Sequence, residues 1–243
     1  MNRNINQKLN NELQSFQNIW KGGYFTGYSQ KRNQQGIEDY LKSNLSGSTF
    51  LEIGCGGGQW SKLIYNRNVF EKMYCVDALS DEHNKFWNYL GEEAKSVIDY
   101  KKVSDFTLDF IDDNSIDYVF SYDVFCHISY SGINAYLDSL ARKCRKGCKL
   151  LIMYADPEKY LDSEPENRFH VKRYLPNKKF VYNISDKKLI KDALLDADGK
   201  ASEGRWYWVG MESFLELLNK KSFKVTNKDL NIDKTNIMTL FEK

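Results

Sequence analysis

Three glycines at alternate positions, Gly54, Gly56 and Gly58, follow the apolar stretch Phe50-Leu51-Glu52-Ile53. Glycine takes positive φ without steric cost and lets the backbone approach a ligand with no Cβ in the way. The helix-compatible segment after them would turn its free N–H groups back toward that loop. The next apolar run, Tyr74-Cys75-Val76-Asp77, ends on a carboxylate, a group able to accept hydrogen bonds from two adjacent hydroxyls. Past a later apolar run, Ser121-Tyr122-Asp123-Val124-Phe125-Cys126-His127 sets a carboxylate four residues before an imidazole, the natural proton acceptor near neutral pH. The dinucleotide fingerprint also starts with two glycines two apart, so the glycines alone do not name the ligand.

Taken together, these residues resemble the class I S-adenosylmethionine-dependent methyltransferases. Glu52-Ile53-Gly54-Cys55-Gly56-Gly57-Gly58 is similar to the first motif of that family, and Asp77 to the acid ending its second strand. A third match is Ser104-Asp105-Phe106, twelve residues ahead of Asp117 in Asp113-Asn114-Ser115-Ile116-Asp117-Tyr118-Val119. The resemblance covers residues 45–155 well and 205–243 loosely. It implies S-adenosyl-L-methionine as cofactor and a small-molecule acceptor. Gly54, Cys55, Gly56 and Gly58 would receive the amino-acid end of the cofactor, with Glu52 orienting the loop or the cofactor's ammonium. Asp77 would meet the ribose hydroxyls and Asp105 and Phe106 the adenine, with Ala78 and Ser121 completing the cofactor-binding set. Family members often carry a His at the position of His127, in some facing the acceptor; if the acceptor is a hydroxyl, a neutral His127 is the natural base for in-line methyl transfer. Asp123 is its orienting partner or the competing base, and Tyr122 shapes the pocket.

Composition agrees with an enzyme of one α/β domain carrying an insertion. The chain has 243 residues, 42% hydrophobic and 14% aromatic, enough for a full core. Thirty-five basic against 33 acidic residues give a net charge of +2, which offers no overall attraction to nucleic acid or an anionic membrane. Nucleic-acid methylation is also disfavoured because Ser121-Tyr122-Asp123-Val124 stands where an Asn/Asp-Pro-Pro-aromatic segment would be expected. No apolar run approaches the roughly 20 residues that span a bilayer, and the first residues lack a secretory apolar segment, so a cytoplasmic protein is expected. The five cysteines are dispersed. Cys144 and Cys148 are separated by three residues with no second pair or nearby His, so no metal site is expected, although scattered acids leave room for one Mg²⁺.

The elements that must position these residues alternate. Strands are expected at 49–53, 72–77, 97–103, 116–121 and 148–154, with helices near 35–44, 58–67, 81–92 and 131–144. Arg145-Lys146-Gly147 reads as a helix-to-strand turn with Gly147 as a left-handed cap. This order predicts an α/β, Rossmann-like doubly wound sheet of about seven strands, mostly parallel. A helix at 210–220 and strands near 222–227 and 236–242 follow, which the resemblance makes an antiparallel edge hairpin. The expected organisation is 1–34 as N-terminal helix and lid, 35–155 as cofactor-binding core, 156–205 as insertion over the acceptor site, and 206–243 completing the core.

Residues 4–19 carry apolar side chains at helical spacing, and 20–28 hold three glycines and four aromatics, including Tyr24, which suits a lid that excludes water or an aromatic strap over the sheet's edge. The insertion holds all three prolines and, from Arg168 to Lys191, eight basic residues against one acid. Arg168, His170 and Arg173 could clamp a phosphate or carboxylate on the acceptor, or simply form a solvated face. Arg205 and Tyr207 belong to an aromatic stretch suited to a pocket wall. The reading is O-methylation of a small polar acceptor such as a sugar or a phosphorylated or nucleotide-linked metabolite. N-methylation of an amine or protein side chain, and cofactor binding without turnover, are the alternatives. The oligomeric state is left open.

Overall fold

A computed structural model describes residues 11–14, 34–163 and 207–243. Tyr24, Arg168, His170, Arg173 and Arg205 lie outside the described residues, as do the aromatic and glycine-rich stretch 20–28 and the basic run of the insertion.

The described chain runs α1 (Gln34–Asn44), β1 (Thr49–Ile53), α2 (Gln59–Tyr65), β2 (Lys72–Asp77), α3 (Asp81–Asn84), α4 (Phe86–Leu90), β3 (Ile98–Lys102), β4 (Ile116–Ser121), α5 (Tyr130–Lys143), β5 (Cys144–Tyr154), α6 (Pro157–Ser163), α7 (Met211–Lys220), β6 (Lys224–Asn227) and β7 (Ile237–Glu242). The strands form one seven-stranded sheet in the order β3-β2-β1-β4-β5-β7-β6. The pairs among β1 to β5 are parallel. β7 runs antiparallel to both β5 and β6, as the family resemblance implied.

Alternation along the strands explains why both faces are covered. In β1, Leu51 and Ile53 join one core cluster, with Val76 of β2 and Ile133, Leu137 and Leu140 of α5. Phe50 joins the other, with Met73 and Cys75 of β2, Ile37 and Leu41 of α1, and Ile64 of α2. At the far edge, α7 lays Phe214 on Tyr154 with ring centroids 4.0 Å apart. Asp156 Oδ2 accepts from the Met211 N–H and so satisfies one of the open donors at the start of α7.

Two elements depart from the periodicity. The single helix expected over 81–92 is broken at Lys85, whose φ of 51° is left-handed, and a 3-10 turn at Glu92–Ser96 continues it. Gly147 is not a helix cap. α5 ends at Lys143 and β5 starts directly, with Gly147 at φ 83° inside an irregularity of the β4–β5 register. Its N–H donates to the Lys243 carbonyl, just past β7. All five cysteines are buried free thiols. No helix among the described residues is long and apolar enough to cross a membrane.

Candidate functional site

β1 pairs with β2 on one side and β4 on the other, and β2 and β4 are not consecutive, so strand order reverses at β1. Open α/β sheets bind ligands beyond the carboxyl ends of the strands at that point. A cleft lies there. Ile53 and Gly54 come from the tip of β1, Val76 to Leu79 from the tip of β2, and Asp123, Val124 and His127 from the segment after β4.

The glycine loop is tied to β2. The N–H groups of Gly54 and Cys55 both donate to the Val76 carbonyl, at 2.7 and 3.2 Å, and the Gly56 N–H donates to Asp77 Oδ2 at 2.9 Å. Gly54 has φ 76°, and a Cβ there would sit 2.0 Å from Val124 Cγ2. Gly58 has φ 88° and would place a Cβ 2.2 Å from Leu90 Cδ1. The bare backbone is needed because the loop packs against Val124 and α4.

Asp77 is the anchor of the cleft. Its Oδ1 accepts from the Leu79 N–H at 2.8 Å and its Oδ2 from Gly56, so both oxygens are fixed by backbone donors. Burial pushes its pKa up, and those two N–H groups pull it back. The Asn84 side chain also reaches this carboxylate, whose remaining lone pairs can accept from the cleft. With apolar walls from Ile53, Val76, Leu79 and Ile128, this arrangement fits a nucleoside sugar against an acid and a flat apolar moiety beside it.

On the opposite wall, Asp123 and His127 face the cleft, with His127 Nε2 3.8 Å from Asp123 Oδ1. Asp123 takes φ 60°, which turns the chain from β4 into the 3-10 turn Phe125–His127. Cys126 lies fully buried behind them, and its thiol donates to Asp123 Oδ1 at 3.5 Å. Burial and the Asp123 charge push the Cys126 thiol well up.

Of the residues singled out from sequence, the structure thus gathers Gly54, Gly56, Asp77, Ala78, Asp123 and His127 around one cleft. It does not bring the others to that surface. Glu52 points to the opposite face of the sheet, where its Oε2 accepts from Ser61 Oγ at 2.6 Å, and Cys55 packs into the core on that same side. Gly58 begins α2 against Leu90 and Phe86. Ser121 Oγ donates to the Ile53 carbonyl and braces the end of β1. Asp105 Oδ1 is engaged by the N–H and hydroxyl of Thr107, and Phe106 is buried edge-on against Tyr136. Tyr122 donates to the buried Asp233 Oδ2, and the Tyr207 N–H donates to the Cys126 carbonyl while its side chain is buried.

Sequence reasoning missed Asn84, Val124 and Leu13. Asn84 lines the cleft while its Nδ2 donates to Tyr100 Oη. Leu13 was readable only as part of an amphipathic helix. It reaches the cleft because Glu12 accepts from both the N–H and the hydroxyl of Ser129 at the start of α5.

Glu52 yields a test of stability. Burial is the main reason its pKa is pushed up to about 8, Ser61 opposing and the Asp77 charge adding. A carboxyl raised on folding contributes stability that is full below its unfolded pKa and is lost as pH rises through the folded one. Glu52→Gln keeps the acceptor for Ser61 without the charge. Its melting temperature should exceed that of the wild type at about pH 9 and converge with it below about pH 5. Parallel melting curves across that range would contradict the assignment.

The fold recurs among solved structures. The PH0226 protein of Pyrococcus horikoshii OT3 superposes with a TM-score of 0.61 at 16% identity, over 93% of this chain and 98% of that one. An S-adenosylmethionine-dependent methyltransferase of Mesorhizobium loti gives 0.60 at 11% identity, over 88% and 99%. A TehB-like SAM-dependent methyltransferase of Corynebacterium glutamicum gives 0.51 at 11%, over 96% and 98%. No curated protein matches the sequence. Residues 25–198 match the methyltransferase domain family. With that match over most of its length, and with glycine loop and acid meeting at the strand tips, the chain belongs to the methyltransferase domain family and is an S-adenosylmethionine-dependent enzyme.

Proposed function

We propose that the chain methylates a hydroxyl of a small polar acceptor, with His127 removing the proton and Asp123 orienting the imidazole. The supporting observation is that His127 and Asp123 stand 3.8 Å apart on the wall of the same cleft that Gly54, Gly56 and Asp77 line. The cofactor, when bound, supplies a methyl that its sulfonium already makes electrophilic. What this chain adds is placement and proton removal. Asp77 and the glycine loop hold the donor, and the apolar walls keep water from the reacting groups. A hydroxyl becomes a strong nucleophile only as its proton leaves, which is the work assigned to His127.

The acceptor would be a sugar or a phosphorylated or nucleotide-linked metabolite, with Arg168 and Arg173 as candidates to pair with an anionic group. A screen for S-adenosylhomocysteine release against sugar nucleotides, phosphorylated metabolites and amines tests the reading. With a responding hydroxyl acceptor, His127→Ala should lower turnover by about 10²–10⁴-fold. Affinity for S-adenosylhomocysteine should stay within about twofold, since the imidazole is not assigned to the cofactor. Turnover that survives His127→Ala on an amine acceptor would instead favour N-methylation, because a free amine needs no base. Loss of cofactor affinity would move His127 out of the acceptor side.

A further inference from the structure

Asp123, Cys126 and His127 stand at i, i+3 and i+4, and the tight turn after β4 folds them onto one another. Their three ligand atoms all lie within 4.8 Å of one another. We propose that they form a binding site for a single zinc-class divalent cation, with its fourth position open to the cleft.

The distances carry the argument. Zinc bonds of about 2.3 Å to sulfur and about 2.0 Å to nitrogen or oxygen, at tetrahedral angles, separate sulfur from oxygen by about 3.5 Å and nitrogen from oxygen by about 3.3 Å. Cys126 Sγ is 3.5 Å from Asp123 Oδ1, and His127 Nε2 is 3.8 Å from the same oxygen. The third separation, between Cys126 Sγ and the His127 imidazole, lies within 4.8 Å, so the imidazole must swing toward both partners to complete the ligand geometry. The turn itself is held. The His127 N–H donates to the Val124 carbonyl at 2.8 Å, and the Cys126 carbonyl accepts from the Tyr207 N–H at 2.6 Å.

The donor set selects the metal. A thiolate with an imidazole suits zinc or cobalt and is a poor match for magnesium, which prefers all-oxygen ligands. Three protein ligands with one vacant position is the pattern of a working zinc rather than a structural one. Because Cys126 is fully buried while Asp123 and His127 line the cleft, that vacancy opens on the cleft side. On binding, the Cys126 S–H bond breaks, its proton passes to solvent and a sulfur–metal bond forms, with no change of oxidation state. A divalent cation among its ligands deprotonates a coordinating thiol outright.

This site rests on the cleft being where the acceptor is methylated, and it alters one step of that reading. In the metal-loaded protein His127 would be a ligand, and the cation would acidify the acceptor hydroxyl, whose proton would leave to solvent. A zinc-bound water loses its proton near pH ~7, and a coordinated acceptor hydroxyl is activated by the same polarisation.

The test uses the full-length protein stripped with EDTA and desalted. Zn²⁺ is titrated against a chromophoric chelator, and Co²⁺ is followed by absorbance. One equivalent of zinc should bind, and cobalt should show a thiolate charge-transfer band. Loss of an outer partner of a metal ligand already costs about 10–100-fold in affinity, so Cys126→Ser, which removes a ligand itself, should weaken zinc at least about 100-fold and abolish the band. His127→Gln, on the open side of the site, should weaken zinc while keeping the band, and serves if Cys126→Ser does not fold. Absence of zinc binding by the wild type, or equal binding by both variants, overturns the proposal. S-adenosylhomocysteine titrated into the same metal-free sample reports on the cofactor cleft alone, so failure of the metal site and failure of the methyltransfer reading are separately visible.

Discussion

Asp77→Ala should raise the dissociation constant for S-adenosylhomocysteine by on the order of 100-fold or more, with the fold retained. Two effects add. The variant removes the acceptor assigned to the sugar hydroxyls, and hydrogen bonds to a charged group are worth about 1.5–3 kcal/mol each against about 1.4 kcal/mol per tenfold in affinity. It also releases the Gly56 and Leu79 N–H groups that Asp77 now holds at 2.9 and 2.8 Å, so the glycine loop loses one of its ties to β2 and keeps those of Gly54 and Cys55 to Val76. Asp77→Asn keeps an acceptor oxygen without the charge and should fall between the two. Calorimetric titration reads all three proteins, and a melting curve without ligand checks folding. Unchanged affinity in Asp77→Ala would remove Asp77 from the cofactor site.

Gly54→Ala is expected to damage stability and cofactor binding together. The methyl would meet Val124 Cγ2 at 2.0 Å, and the φ of 76° must be kept by a residue with a Cβ. The left-handed backbone costs about 1–2 kcal/mol in a residue other than glycine, and overpacking a filled site about 1–3 kcal/mol. Adding Val124→Ala should recover most of the steric share, since Val124 Cβ stays 3.0 Å away, and leave the backbone share, which a pair of denaturation curves separates. Full recovery in the double variant would mean that the backbone conformation is not itself demanding. Because Gly54 and Val124 both line the cleft, the single variant should also weaken S-adenosylhomocysteine binding.

The parts of this molecule that could be read in advance are those in which residue type and order suffice. The apolar runs at β1, β2 and β4, each ending on Gly54, Asp77 or the Asp123 segment, specify a parallel sheet and place its reactive edge. What could not be read depends on direction or on distant partners. Glu52 stands two residues before Gly54, yet the pleat sends it to the face opposite Ile53, toward Ser61 and Cys75. Asp105 sits two residues before Thr107, and a local turn engages one oxygen of the carboxylate that the family resemblance assigns to adenine. Gly147 after two basic residues looks like a helix cap, but the chain's C-terminal strand draws it into the sheet. Lys85 breaks a helix with no glycine to signal it. The gathering of Asp123, Cys126 and His127 follows from a left-handed Asp123 that no local pattern announces, so a search for cysteine pairs passes over it.

One structure tests the account most directly, that of the protein crystallised with S-adenosylhomocysteine. The ribose hydroxyl oxygens should lie at about 2.5–3.0 Å from the Asp77 carboxylate, with the amino-acid end against Gly54 and Gly56 and the sulfur directed toward the wall formed by Asp123 and His127. A nucleoside bound away from the tips of β1, β2 and β4, or an Asp77 carboxylate that makes no contact with it, would contradict it.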